Sequence, residues 1–469
     1  MYRYTKPWHQ LLFGLLIATT SALFPFAAAS EALLLVEVDS GKVLHAENAT
    51  SPWYPASVTK LMTLYVTLRA VKDGRITLDT PFKVSANALA QSPTKMGFKV
   101  GTIVTVDNAI KMMMVKSAND MAVLLAEGVS GSVDGFAAEM NASARRLGMV
   151  QSNFVNPNGL PADEQTVSAR DLAILARALI REFPQYDDYW HLPGIRFGKR
   201  VIRNYNRLLD LYPGADGMKT GFICASGFNL VATATRNGRR FIAVVLGAPS
   251  ASVRTYKAAK LLEEGFNSGT GLNWLTPALG TVDQLVPLAV APVNLREQTC
   301  GPHRKRPAAE DEEVTVSNNG EDGSSPLAFM LQNLRSPNPK PSQLLGQQVT
   351  ALPPVDVFVG TVKPTSAAAA AAQEAQIAGP KGKAKRGKLA KKPTPDADAK
   401  ASAEAAPNAA PAETGAARTA AKPKPKKTAA APADGAAAGA TKSSTPKPRP
   451  KPTAPNTVTA PAKPAPAQQ

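Results

Sequence analysis

Apolar positions along the chain form strand-like blocks at both ends of its first half and helical patterns between them. Ala32 to Val38 is a branched, apolar run, Asp39-Ser40-Gly41 is a turn, and Lys42 to His45 returns as the second arm of a hairpin. A second hairpin runs from Gly227 to Ala234, turns at Asn237-Gly238, and comes back through Phe241 to Leu246. Between them Leu61, Leu64, Tyr65, Leu68 and Val71 recur at helical spacing, and Asp73-Gly74 ends that helix. Ile110 to Val115 and Met121 to Ala126 are two more helical stretches. Ser168 to Asp171 opens another, carrying Leu172, Ile174, Leu175 and Leu179, and Ser252 to Phe266 reads as a closing helix. The pattern predicts an α+β fold, with one antiparallel sheet against a helical cluster. Later residues are less regular. Val282 to Val293 suits a short strand or two, Glu310 to Ser325 an exposed loop, and Leu327 to Leu334 a helical turn or two.

Composition changes this picture at both ends. From Thr361 onward the chain is mostly Ala, Pro, Lys and Thr, which cannot bury enough surface to offset the entropy of ordering. That segment holds 19 Lys+Arg against 6 Asp+Glu, so 13 of the 18 net positive charges belong to it. At the start, Arg3 and Lys6 precede the apolar run Leu11 to Ala18, and Ala27-Ala28-Ala29 forms a cleavage-like site before Ser30. The expected organisation is a signal peptide at 1–29, a folded domain at 30–270, an extension of unassigned structure at 271–360 and a disordered basic tail at 361–469. No later run approaches the ~20 apolar residues that span a bilayer, so an exported, soluble protein of the periplasm or cell envelope is expected. The two cysteines, Cys224 and Cys300, would both survive cleavage, and an oxidising compartment predicts a bridge between them.

Three short motifs carry candidate chemistry. Ser57-Val58-Thr59-Lys60 precedes an apolar helix, which places Lys60 one turn from Ser57 on the same face. An unperturbed lysine, with pKa ~10.4, is a poor base at neutral pH, and burial beside other cations is what would free its amine to take the serine proton. Ser117-Ala118-Asn119 is a polar break between two apolar helices, able to project side chains into a cleft or merely to cap a helix. Lys219-Thr220-Gly221 precedes a strand, where a cation and a hydroxyl can bind a carboxylate and a glycine allows close backbone approach. Competing copies exist. Ser92-Pro93-Thr94-Lys95 is followed by Gly97 and Gly101 instead of a helix, and Ser444 to Lys447 lies in the tail. Ser85-Ala86-Asn87 reads as a turn, and the copies at Ser317 and Ser336 sit in loop-like sequence. His45, His191 and His303 read as structural, with no nucleophile elbow around a candidate serine. No zinc-ligand spacing or phosphate-binding glycine loop is present, so no metal or cofactor is expected.

The ordered set resembles that of the penicillin-recognising serine acyl-transfer enzymes. Around the motifs, Pro55 to Thr63, Val115 to Asp120, Asn153 to Leu160 and Tyr212 to Phe222 are similar to segments of the D-alanyl-D-alanine carboxypeptidases, the low-molecular-mass penicillin-binding proteins. The likeness covers roughly Ala32 to Phe266. It implies a DD-peptidase/β-lactamase-like fold and an acyl-enzyme on Ser57. Lys60 would act as base, and Ser117 would relay a proton to the leaving amine. Asn119 would hold the substrate backbone, Lys219 and Thr220 the terminal carboxylate, and the N–H groups of Ser57 and Phe222 the oxyanion beside Gly221. The implied partners are peptidoglycan stem peptides and, as inhibitors, β-lactams. The chain departs from the family in carrying Asn158 where members often have histidine, and in ending without an apolar helical face.

Three other readings share parts of this evidence. A DD-endopeptidase on cross-linked peptidoglycan would use the same residues. A class A type β-lactamase needs a glutamate after the second motif, and Arg145 to Asp163 has none, although Glu164 follows at once. A non-catalytic envelope-binding protein would not need the intact motif set. The basic tail alone suggests nucleic acid, which an exported protein would not meet, so the tail reads as a flexible spacer, either in weak contact with anionic envelope polymers or as a purely solvated linker.

Overall fold

The computed structural model describes residues 31–268, 279–302, 344–345, 352–374 and 377. The expected signal peptide, the acidic loop near Glu310, the segment Leu327 to Leu334 and the tail beyond residue 377 lie outside these residues.

The chain opens with the predicted hairpin, β1 (Ala32–Glu37) and β2 (Val43–Glu47), turning at Gly41 with φ 72°. A 3-10 turn at Ala56–Thr59 leads into α1 (Lys60–Lys72). A small antiparallel pair follows, β3 (Pro81–Lys83) and β4 (Ile103–Thr105), with α2 (Ala86–Ala90) between them. The helical middle is α3 (Val106–Val115), α4 (Asn119–Ser130), α5 (Val133–Leu147) and α6 (Ala169–Glu182). Ser168 caps α6 as its sequence predicts, accepting from the Asp171 N–H. Two short turns, α7 (Asp188–His191) and α8 (Leu208–Leu211), flank a hairpin of β5 (Gly194–Phe197) and β6 (Arg200–Arg203). Then come β7 (Ala215–Ile223), β8 (Gly227–Arg236), β9 (Arg239–Ala248) and α9 (Ala251–Asn267). The β8–β9 turn is Asn237-Gly238, both at positive φ (51° and 75°), as that dipeptide predicts.

The main sheet has the order β2-β1-β9-β8-β7 and is antiparallel throughout. Its two faces are buried by different partners. Leu34, Val36, Val231, Ile242 and Val244 join the core made with α1 and α3–α6. Leu35, Leu230, Ala232, Phe241, Ala243 and Val245 join the core under α9. Burial on both faces is why β8 and β9 read as continuous apolar runs instead of alternating ones.

Several expectations need correction. Ser85-Ala86-Asn87 is no free turn: Ser85 Oγ caps α2, accepting from the Ala88 N–H. His191 ends a helical turn and is not in a loop. Val282 to Val293 forms no strand. Val282–Gln284 is a 3-10 turn and Val286, Leu288 and Val290 point outward, so nothing pairs with the run except bridges at Thr281 and Val293. Order also continues past Gly360. β10 (Val355–Val357) pairs in parallel with β5, and α11 (Ala367–Glu374) follows inside the segment expected to be disordered. Gln373 both accepts from the Val359 N–H and donates to its carbonyl, and Glu374 accepts from the Lys199 N–H. A poly-alanine run with one well-placed glutamine docks here, although it has almost no apolar bulk. The predicted bridge is present, joining Cys224 and Cys300 with their Cα atoms 5.6 Å apart. α10 (Arg296–Cys300) carries its second cysteine. Among the described residues no single helix is long and apolar enough to cross a membrane.

Candidate active site

β7 is the edge strand of the main sheet, and the 3-10 turn that holds Ser57 packs on the sheet face at Gly221. Gly221 makes this fit possible. A Cβ there would lie 2.8 Å from the Ser57 amide nitrogen and 3.1 Å from the Pro55 carbonyl oxygen. Gly159 approaches from another side with φ 82°, and a Cβ on it would overlap the Ala56 carbonyl oxygen. Asn229, opposite Gly221 in the β7–β8 ladder, donates to the carbonyls of Tyr54 and Pro55, each at 3.0 Å. The backbone around Ser57 is therefore set by two glycines and one buried amide. Ala56, just before Ser57, has φ 50°, and Ser117 has φ 59°, a costly region for side-chain-bearing residues.

Lys60, the first residue of α1, is fully buried. Its Nζ donates to Ser57 Oγ at 2.8 Å, Asn119 Oδ1 at 2.7 Å and the Asn158 carbonyl at 2.6 Å. Two of the three motifs thus meet on one nitrogen, Lys60 Nζ. The third acceptor explains how the loop at Asn158 contributes without a histidine: it offers its main-chain oxygen, while its side-chain amide donates to Gln91 Oε1. Gln165 ties this loop down, accepting from the N–H groups of Val155 and Asn156 and donating to Thr59 Oγ1.

Ser117 and Asn119 stand at the break between α3 and α4, as their flanking patterns predict. Ser117 Oγ is buried and has no hydrogen-bond partner among the described residues. The loop from Ser92 to Gly97 braces this break. Asn119 donates through its side chain to the Ser92 carbonyl and through its backbone to the Thr94 carbonyl, and Thr94 Oγ1 donates back to the carbonyls of Lys116 and Ser117. Asp120 closes the loop, accepting from the N–H groups of Met96 and Gly97. Burial holds its carboxyl above the ordinary value near 3.8, against the pull of those N–H groups.

Lys219 and Thr220 lie on β7 and are buried, with Lys219 Nζ donating to the Thr220 carbonyl at 3.1 Å. Phe222 follows, its ring stacked on Phe228 with centroids 4.2 Å apart. Arg254 from α9 reaches the same register row, donating to the Asn229 carbonyl. His191 pairs instead with Asp187 and Arg240, and burial lowers its pKa, so it shares no hydrogen bond with Ser57, Lys60 or Ser117. Glu164, the residue that left a class A type β-lactamase open, has an exposed side chain. No group of three or more His, Cys, Asp or Glu able to hold a metal occurs among the described residues.

Ser57, Lys60 and Asn119 meet at Lys60 Nζ and Gly221 packs on the Ser57 backbone, while Ser117 precedes Asn119 at the α3–α4 break and Lys219, Thr220 and Phe222 flank Gly221 on β7. Sequence reasoning missed Asn229, Gln165, Asp120 and the Ser92 loop. Asn229 had a signal, a lone amide inside an apolar strand. The others had none, because their work is hydrogen bonding across the fold.

Comparison with known proteins gives the family. The family described as D-alanyl-D-alanine carboxypeptidase matches residues 18–250. The chain is 34% identical to D-alanyl-D-alanine carboxypeptidase DacF of Bacillus subtilis, over 51% of this chain and 62% of that one. It is 38% identical to DacC of Escherichia coli, over 50% of this chain and 61% of that one. It is 30% identical to DacB2 of Mycobacterium tuberculosis, over 50% of this chain and 81% of that one. Among solved structures, penicillin-binding protein 6B of Escherichia coli aligns with TM-score 0.49 and 36% identity, over 53% of this chain and 81% of that one. The chain belongs to the D-alanyl-D-alanine carboxypeptidase family of serine peptidases. It spans 62% of the length of the first curated relative it matches.

Proposed function

We propose that the protein is a serine-type D-Ala-D-Ala carboxypeptidase that removes the terminal D-Ala from peptidoglycan stem peptides. The observation that carries this reading is the buried Lys60 Nζ, within hydrogen-bond reach of Ser57 Oγ, Asn119 Oδ1 and the Asn158 carbonyl at once. In the reaction, neutral Lys60 takes the Ser57 proton as Oγ attacks the penultimate D-Ala carbonyl. The N–H groups of Ser57 and Phe222 receive the oxyanion, usually the largest electrostatic contribution to acyl transfer. The carbonyl–nitrogen bond breaks as Ser117 hands its proton to the leaving amine and takes in return the one held by Lys60, and D-Ala departs. Water then attacks the ester, giving a proton to the again neutral Lys60, which passes it to Ser57 Oγ as the acid leaves. Asn119 holds the substrate backbone, and Lys219 with Thr220 binds the terminal carboxylate. The buried, unpartnered Ser117 Oγ supports its relay role, since it keeps its hydrogen-bonding capacity for substrate.

β-Lactams, which place a reactive amide and a carboxylate at similar spacing, are the expected inhibitors through the same ester. The signal-like N-terminus supports action outside the cytoplasm, on the envelope side where such peptides are found. The basic tail is assigned a weak attraction to anionic envelope polymers. The test of the central reading is release of D-Ala from an acylated D-Ala-D-Ala peptide, with mapping of the residue labelled by a fluorescent penicillin. D-Ala release with label on Ser57 is expected, and label elsewhere refutes the assignment.

A further inference from the structure

The geometry points to residues 293–300 as a clamp that positions the oxyanion-binding backbone, with Cys224, Cys300 and Leu295 as its positioning residues; this rests on the acyl transfer proposed above. The two N–H groups that would receive the oxyanion come from different parts of the chain. Ser57 lies on the 3-10 turn and Phe222 near the end of an edge strand. Their separation matters, because both must reach one oxygen at about 2.7–3.1 Å.

The segment 293–300 is fastened to both sides. On the Ser57 side, Val293 pairs in parallel with Trp53, and its N–H donates to the Pro52 carbonyl at 3.2 Å. Ser57 follows Trp53 by four residues. On the Phe222 side, the Leu295 N–H donates to the Ala225 carbonyl at 2.9 Å, and Cys300 is bonded to Cys224, two residues beyond Phe222. Trp53 also joins the sides directly, its indole N–H donating to the Ser226 carbonyl at 2.9 Å. Leu295 and Trp53 are both buried, so the clamp has an apolar base as well as a covalent one. The β7–β8 turn carries three of these attachments on consecutive residues, Cys224, Ala225 and Ser226. The middle of β7 is held against the 3-10 turn by the close approach at Gly221 and by Asn229 on β8, and the clamp adds the attachment at the strand's end.

The test compares wild type, the Cys224→Ser/Cys300→Ser double variant and Leu295→Pro, which keeps the bridge but removes the N–H. Each is checked for a native circular dichroism spectrum and assayed well below its melting temperature. The double variant is expected to lose about tenfold in kcat for D-Ala release, short of the 10²–10³ typical of losing an oxyanion donor outright. KM should stay within about twofold, because the substrate-binding groups stay in place. Acylation by penicillin should slow in parallel. Leu295→Pro should show a smaller kcat loss, again with KM held, and serves alone if the double variant does not fold. A lower melting temperature with unchanged kcat in the folded variants overturns the clamp. A wild type that neither releases D-Ala nor takes up penicillin overturns the acyl transfer reading and the clamp with it.

Discussion

Two segments of this chain carry the same four-residue pattern and do different things. Ser57 to Lys60 turns into α1, so serine and lysine share a face and Lys60 Nζ bonds Ser57 Oγ at 2.8 Å. Ser92 to Lys95 lies in a helix-free loop. Its serine is exposed, and Lys95 Nζ is spent on the Leu89 carbonyl at 2.6 Å. A spacing of three is chemistry only where the backbone is helical. In the loop the same letters supply carbonyl oxygens, and these brace Asn119. The second copy is thus a support for the site that the first copy forms.

The largest expected effect breaks that comparison outright if it is wrong. Ser57→Ala should form no covalent penicillin adduct and release no D-Ala, while Ser92→Ala should keep both, since only the Ser92 main chain is used. Mass spectrometry of the intact protein after penicillin treatment checks this. An adduct on Ser57→Ala, or none on Ser92→Ala, would reverse the assignment.

Next in size is the third motif. Lys219→Ala removes a charge-assisted hydrogen bond to the substrate carboxylate, worth roughly 1.5–3 kcal/mol, or about ten- to a hundredfold in kcat/KM. A substrate with its terminal carboxylate amidated should show a much smaller difference between the two proteins. Equal kcat/KM for mutant and wild type on the free acid removes Lys219 from carboxylate binding.

The support role of the Ser92 loop is probed through Asp120. Asp120→Asn keeps the shape but removes one acceptor oxygen facing the Met96 and Gly97 N–H groups. Leaving such a donor unmatched costs roughly 1–3 kcal/mol of stability. The loss should depend on pH. The folded Asp120 titrates above its ordinary 3.8 because of burial, so ionising it costs the fold stability. That contribution is fully present below 3.8 and is lost as pH rises through the raised folded value. Asparagine has no such loss. The stability gap between variant and wild type should therefore narrow between pH 4 and pH 7 in urea unfolding. A gap that widens would mean the N–H groups of Met96, Gly97 and Met121, all bonded to this carboxylate, outweigh burial.

Much of this was legible in the sequence for a physical reason. Strands and helices announce themselves through apolar periodicity, and the Asn237-Gly238 turn and the Ser168 cap through local chemistry. Lys60 beside Ser57 followed from helical spacing alone. The cysteine pair was predicted from compartment and number, not from geometry. What the sequence hid was cooperation at a distance. Gln165 and Asp120 satisfy backbone N–H groups on loops whose shape no local pattern encodes. α5 was missed because only Phe136 and Met140 give bulk to its buried face, where Ala137 and Ala144 are small. Helix α11 was hidden by the composition of the tail around it, since two polar side chains, Gln373 and Glu374, tie it to Val359 and Lys199 in place of apolar bulk.

The smallest expected effect concerns the third copy of the pattern, Ser444 to Lys447, which lies outside the described residues. A chain ending after Ile377 lacks that copy and most of the basic segment. It keeps α11, the Gln373 bonds to Val359 and every residue assigned to the site. It should acylate with penicillin and release D-Ala from a small soluble peptide at the wild-type rate, while binding less to isolated envelopes at low salt, where exposed charges are least screened. A chain ending at Gly360 differs from it by the loss of what residues 361–377 hold: the Val359 N–H and carbonyl lose Gln373, the Lys199 N–H loses Glu374, and Asp356 loses Lys363. These contacts lie near the surface, each hydrogen bond worth about 0.5–1.5 kcal/mol, and their loss should lower its melting temperature slightly and leave kcat alone. Thermal unfolding of the two truncated chains side by side checks the difference. A drop in acylation at Ile377 would mean that the third copy or its surroundings reach the site. An identical melting temperature for both chains would mean that α11 contributes nothing to holding β10 on the body.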